Sequence, residues 1–312
     1  MELASSEQAF PDEAERMCGI NRESYPLPEL EIPELADVTL PSTSEVATAA
    51  VTPPVFRNVA SETGLDHNYQ IASGPQLYRF ALYQSLGGGA AALDYDLDGS
   101  IDLYLAQGSG DLPTLTGTLS NLLYRNIGGQ FTRVTKASKT NDQRYSVGVT
   151  AGDWNQDGFD DLVIANIGNK VLLINNGDGT FRRMEFDADP DLGILTSSVA
   201  LGDVTGDALP DLVSLHYVED NTMLKRPDLS DNGDVLTVSP ASFVPGVDRV
   251  AVNDGQGGFN SEKISDTPQA ASTGLGVVIA DWDGQPGNEI FVGNDVRPKS
   301  LVKCFEAGHG SR

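Results

Sequence analysis

Four acidic loops recur in register along this chain, and no other feature restricts its fold as much. They read LDYDLDGSIDLYLAQG from Leu93, GDWNQDGFDDLVIANIG from Gly152, GDVTGDALPDLVSLHY from Gly202 and ADWDGQPGNEIFVGND from Ala280. Their first aspartates, Asp94, Asp153, Asp203 and Asp281, stand 59, 50 and 78 residues apart. The widest gap holds an insertion over roughly Val218 to Gly246. Small and apolar residues precede each loop (LGGGAAA, SVGVTA, SSVAL, GLGVVI), and a β-like run comes after it (IDLYLA, DLVIAN, DLVSLH, EIFVGN). After the first three loops comes a second signature, LYRNIGGQF, LINNGDGTF and VNDGQGGF. An apolar run, then Asn or Asp with Gly, then Phe is a tight-hairpin signal.

One unit is therefore strand, acidic loop, strand, variable loop, strand, Gly-rich turn, strand. Four short antiparallel strands recurring about every fifty residues are what a propeller blade requires. The expected fold is all-β, a β-propeller of four-stranded antiparallel blades. Three blades read as full, at about 86–136, 146–187 and 197–265, and a partial fourth at about 274–305. The segment 55–60, VFRNVA, resembles QFTRVT at 130–135, the last strand of a blade, and is expected to close a ring. The chain is then either part of a seven-blade ring or a compact four-blade ring. Residues 1–53 are rich in Pro, Glu and Ala without a sustained period and read as a disordered linker.

Spacing within the loops points to a cation. Positions one, three, five and nine are Asp94, Asp96, Asp98 and Asp102 in the first loop. In the second they are Asp153, Asn155, Asp157 and Asp161. The third has Asp203, Thr205, Asp207 and Asp211, and the fourth Asp281, Asp283, Gln285 and Glu289. Alternate residues of a tight loop can turn oxygens toward one point, and calcium takes six to eight hard oxygen ligands. Without a cation, carboxylates so close together would repel one another. Loops one and two read as strong calcium sites. Loops three and four read as weaker, because of Thr205 and Ala208 in one and Gln285 with a displaced glycine in the other. An EF-hand needs a bidentate Glu at position twelve, which here is Leu105, Ile164, Ser214 and Val292, so that reading is rejected.

The formal net charge of -25 and the pI near 4.2 exclude a nucleic-acid partner and disfavour anionic membranes. No apolar run is long enough to span a bilayer, and the N-terminus carries no secretory signal. Cys18 and Cys304 read as free thiols. No G-x-S-x-G, phosphate-binding loop or H-E-x-x-H occurs, so the chain reads as non-enzymatic.

The units GGGAAALDYDLDGSIDLYL and VGVTAGDWNQDGFDDLVIAN resemble the FG-GAP/VCBS repeats of integrin-α-type propellers. FRNVASETGL (56–65) and FVGNDVRP (291–298) are similar to the cartilage-acidic-protein-like, ASPIC/UnbV-associated branch. The resemblance implies a propeller with calcium between the first two strands of each blade, an extracellular or cell-envelope setting, and a role in adhesion or interaction. The expected partner is a protein or glycan, with self-association through open strand edges. The alternative is the propeller portion of a carbohydrate-active enzyme such as a polysaccharide lyase. Two long loops opposite the acidic ones, Gln107–Ser120 and Tyr217–Gly246, are the expected recognition surface, with Lys225 and Arg226 as partner-binding residues.

Overall fold

The structure is a computed structural model that describes residues 55–71, 81–110, 114–185, 195–236, 239–264, 273–295 and 300–302. The linker 1–53, Cys18 and Cys304 lie outside the described residues.

Four antiparallel sheets succeed one another along the chain. The first is β1 (Ala90–Leu93), β2 (Asp102–Leu105), β3 (Leu122–Ile127) and β4 (Gln130–Arg133). The second is β5 (Ser146–Gly152), β6 (Asp161–Asn166), β7 (Val171–Asn175) and β8 (Phe181–Glu185). The third holds β9 (Leu195–Gly202), β10 (Asp211–Val218), β11 (Arg249–Asn253) and β12 (Phe259–Lys263). The fourth is three-stranded, with β13 (Thr273–Ala280), β14 (Glu289–Asp295) and β15 (Ser300–Val302). Strand order equals chain order in every sheet, as a propeller blade demands.

Composition explains which strand lies where. The middle strands β6, β7 and β10 are near-continuous apolar runs and are buried along their whole length, because neighbouring blades cover both faces. The outer strands β4 and β12 are polar and largely exposed. Three apolar layers lie between successive blades. Leu93, Tyr104 and Leu123 meet Leu162, Ile164 and Leu173; Trp154, Val163 and Leu172 meet Val199 and Leu212; Val213 and Leu215 meet Ile290 and Val292. The innermost strands come close enough to need glycine: a Cβ at Gly89 would fall 2.7 Å from Gly148 Cα. That is the physical role of the GGGAAA run.

Successive blades pack against one another in chain order. Contacts run from β1 to β5, from β5 to β9 and from β9 to β13, and nothing of that extent joins the fourth sheet to the first among the described residues. The segment 55–60, expected as a ring-closing strand, forms no strand. A turn replaces the end of it. Leu65 N and Thr63 Oγ1 both donate to the Ala60 carbonyl, and Gly64 adopts φ +83°. The Thr63 carbonyl then accepts from Phe131 N on β4, so the turn docks on the outer edge of the first blade. A Thr side chain bonding three residues back, with a glycine free to turn left next to it, outcompetes extended pairing here.

Each of the two long loops is anchored in the core by a buried residue. Leu115 and Met223 are buried in a fourth apolar cluster with Tyr83, Tyr145, Leu195 and Tyr217, at the end of the blades opposite the acidic loops. Tyr83 and Tyr145 meet edge-to-face there, with centroids 5.2 Å apart.

Candidate metal centre

Each acidic loop is the hairpin connection between the first two strands of a blade. The register fixes it: Leu93 pairs with Asp102, Gly152 with Asp161, Gly202 with Asp211 and Ala280 with Glu289. Position nine is therefore the first residue of the second strand.

The position-one carboxylate organises the turn. Asp94 accepts from Asp98 N and Gly99 N, and Asp153 accepts from Asp157 N and Gly158 N, all at 2.8–3.0 Å. Asp203 accepts from Gly206 N and Ala208 N, and Asp281 from Gly284 N. Position four takes positive φ in all four loops, at Leu97, Gln156, Gly206 and Gly284. Position six does so in the first three, at Gly99, Gly158 and Ala208. The third loop thus keeps the same turn although alanine stands where the others have glycine, at φ +69°.

The position-nine carboxylates are buried and, in the first three blades, bonded at both oxygens. Asp102 accepts from Tyr95 N (3.2 Å) and Asn126 N (2.7 Å). Asp161 accepts from Trp154 N (3.0 Å) and Asn175 N (2.7 Å), and Asp211 from Val204 N and Asn253 N, both at 3.0 Å. Glu289 accepts from Trp282 N at 2.8 Å. One carboxylate thus ties the loop to the third strand of its own blade in the first three blades. Burial is the main influence on these groups. It pushes Asp102, Asp211 and Glu289 up from the ordinary carboxylate range and Asp161 up to about 7, while the bonded amides pull the other way. Neighbouring loop carboxylates raise them further: Asp157 and Asp153 act on Asp161, and Asp283 on Glu289. A divalent cation beside them would reverse that electrostatic cost.

Among the described residues, two groups bring three carboxylate oxygens within 4.8 Å of one another: Asp94, Asp96 and Asp102, and Asp281, Asp283 and Glu289. An all-carboxylate donor set suits a hard oxygen-seeking dication. The second and third loops make no such group, having Asn155 and Thr205 at position three. In the second loop Asn155 Nδ2 donates to Asp157 Oδ2 at 2.9 Å. In the fourth, Gln285 is placed by its backbone N–H on Asp283. The fourth loop brings its carboxylates together although its sequence pattern is irregular. Lys225 and Arg226 are exposed at the end of the short helix Asn221–Leu224.

Sequence reasoning missed a set of asparagines. Asn175 Nδ2 donates to the Tyr95 carbonyl at 2.8 Å, and Asn253 Nδ2 to the Trp154 carbonyl at 2.8 Å. Each reaches back to position two of the preceding blade's loop. Asn288 acts in the same sense, with N and Nδ2 both donating to the Asp203 carbonyl. Their signal was present in the chain: an asparagine recurs at one place in LYRNIGGQF, LINNGDGTF and VNDGQGGF.

Comparisons with known proteins cover part of the chain. The FG-GAP-like repeat family matches residues 94–164 and 153–214. No curated protein matches the chain. Among solved structures, it is similar to an Agrocybe aegerita lectin solved for recognition of non-reducing terminal N-acetylglucosamine. Identity is 15%, over 67% of this chain and 47% of that one, with a TM-score of 0.38. The overlap spans about half of the lectin chain, and a likeness at that level fixes no ligand. The in-register loops, the strand order and the family match point the same way: residues 94–214 of this chain match the FG-GAP-like repeat family.

Proposed function

We propose that the chain is a calcium-binding, non-catalytic repeat scaffold, which presents its loops to a protein or glycan partner outside the cell or at its envelope. The observation that carries this reading is the convergence of three carboxylates within 4.8 Å in the first and fourth loops, each on a hairpin braced by a buried position-nine acid. Asp94, Asp96, Asp98 and Asp102 would hold an ion in the first loop, and Asp281, Asp283, Gln285 and Glu289 in the fourth. Asp153, Asn155, Asp157 and Asp161, and Asp203, Thr205, Asp207 and Asp211, supply fewer carboxylates and bind more weakly. The ion would neutralise the loop carboxylates and hold two strands together. Resemblance of FRNVASETGL and FVGNDVRP favours the cartilage-acidic-protein-like branch of the family.

A binding role is also favoured by how the buried ionisable groups are used. His216 donates from Nδ1 to the Val247 carbonyl at 2.7 Å, and its backbone N–H is held by Asp248. Both serve the fold of the third blade. Exposed Lys225 and Arg226 offer cations to an acidic partner on an otherwise anionic chain. Among the described residues, no helix is long and apolar enough to cross a membrane.

Melting curves in calcium and in chelator test the ion. Binding to the folded state alone stabilises by about 2.7 kcal/mol at a hundredfold excess over Kd, so calcium raises Tm by several degrees. Identical curves contradict the reading. A glycan array probed in both buffers tests the partner: spots retained in calcium and lost in chelator support it, and equal binding removes calcium from the interaction.

A further inference from the structure

We propose that Arg125 is a built-in counter-cation of the first acidic loop, so that this loop takes up a metal ion only by displacing a guanidinium. The inference rests on the calcium reading for its second half and stands without it for the first. Arg125 lies on β3, next to Asn126, whose N–H donates to the position-nine acid Asp102. That neighbour places the Arg125 side chain at the mouth of the loop. Its Nη2 donates to Asp98 Oδ2 at 3.0 Å. Its Nε lies 2.7 Å from Asp96 Oδ2, close as a charge contact without hydrogen-bond alignment. Positions three and five of the loop therefore share one guanidinium.

The other full blades are built differently at this point. The residue before the matching asparagine is Ile174 in the second blade and Val252 in the third. Both pack into the apolar layer against the next blade. Among the described residues, no cation pairs with the fourth loop's group of Asp281, Asp283 and Glu289. Among the described residues, two loops with converging carboxylates thus differ in one respect: the first carries its own positive charge and the fourth shows none. A metal entering the first loop meets a fixed like charge a few ångströms away, and that repulsion weakens binding. The first loop, which reads with the second as a strong site in sequence, is then filled after the fourth.

Arg125→Ile gives the first blade the residue that the second carries, which suits the same strand position. In chelator, this variant leaves Asp96 and Asp98 without their shared cation, and Tm falls by about 2–4 °C. In calorimetric calcium titration of the full chain, the variant gains one site about tenfold tighter than its counterpart in the parent. Asp94→Asn in the Arg125→Ile background removes that gained site. Unchanged Tm in chelator overturns the counter-cation assignment. Identical calcium isotherms for parent and variant overturn the displacement assignment. If neither chain binds calcium, the metal reading and the displacement assignment fail together, and the chelator melt alone decides the role of Arg125.

Discussion

Trp154 and Trp282 occupy position two of the same turn in the second and fourth blades, yet Trp154 is 1% exposed and Trp282 is 53% exposed. The two turns share three features. In both, the residue before position one pairs with position nine, position four has positive φ, and the tryptophan N–H donates to the position-nine acid. The difference lies in the neighbouring repeat. The third blade covers Trp154, and Asn253 bonds its carbonyl, whereas no described blade comes after the fourth. Loop shape is thus a property of nine residues, while burial of the loop is supplied by the next repeat. The fourth repeat keeps its carboxylates together without that cover.

The largest expected contrast comes from the two tryptophans. Trp154→Ala removes a fully buried ring and costs about 3–5 kcal/mol, while Trp282→Ala costs under about 1 kcal/mol. Chemical denaturation of both variants measures this, and equal losses would break the comparison. Next is the titration of the covered region. His216 is buried in β10, and burial lowers its pKa to about 3, with Lys170 adding to the shift. The unfolded chain binds a proton at this side chain below about pH 6.5, while the folded chain does not until about pH 3, so stability falls as pH drops through 6.5. The expected slope is up to about 1.4 kcal/mol per pH unit. His216→Asn, compared with the parent from pH 7 to 4.5, flattens that slope; parallel curves would assign the loss to carboxylates instead. A smaller effect belongs to the inter-blade staple. Asn253→Ala removes the bond to the Trp154 carbonyl and costs about 1–3 kcal/mol, because buried partners are left unpaired. Hydrogen exchange should locate the loss in the second loop, and a change confined to the third blade would contradict the staple. The smallest change is a gain. Ala208→Gly relieves a left-handed alanine in the third loop and raises stability by about 1 kcal/mol, read as a Tm increase.

The propeller could be read from the chain because its signals are local. Loop period, Asn-Gly turns and apolar runs specify strand order without knowledge of neighbours. The hairpin placement of positions one and nine was legible for the same reason, since Asp94 with Gly99 and Leu93 with Asp102 are close in sequence. What sequence did not reveal depends on contacts between distant segments. Arg125 meets Asp96 and Asp98 across more than twenty-five residues, and Asn253 meets Trp154 across 99. Neither pairing has a periodic signature that ranks above an ordinary surface charge or turn asparagine. The segment 55–60 forms no strand despite its likeness to QFTRVT at 130–135, because Thr63 and Gly64 just beyond it close a turn. The insertion held a feature its length did not reveal: Met223 is fully buried and Phe243 packs against the same cluster, which anchors a loop whose other described residues, Lys225 and Arg226 among them, are mostly exposed.

The central claim, that recurring carboxylates hold a cation at each hairpin mouth, has a direct spectroscopic test. The chain has two tryptophans, each adjoining an acidic loop. Terbium, which occupies calcium sites, emits when a nearby indole is excited. Terbium added to the parent should give sensitised emission that calcium competes away. Trp282→Phe should remove the component that appears at the lowest terbium concentration, and Trp154→Phe a weaker one. Absence of sensitised emission, or emission that excess calcium leaves untouched, would contradict the account.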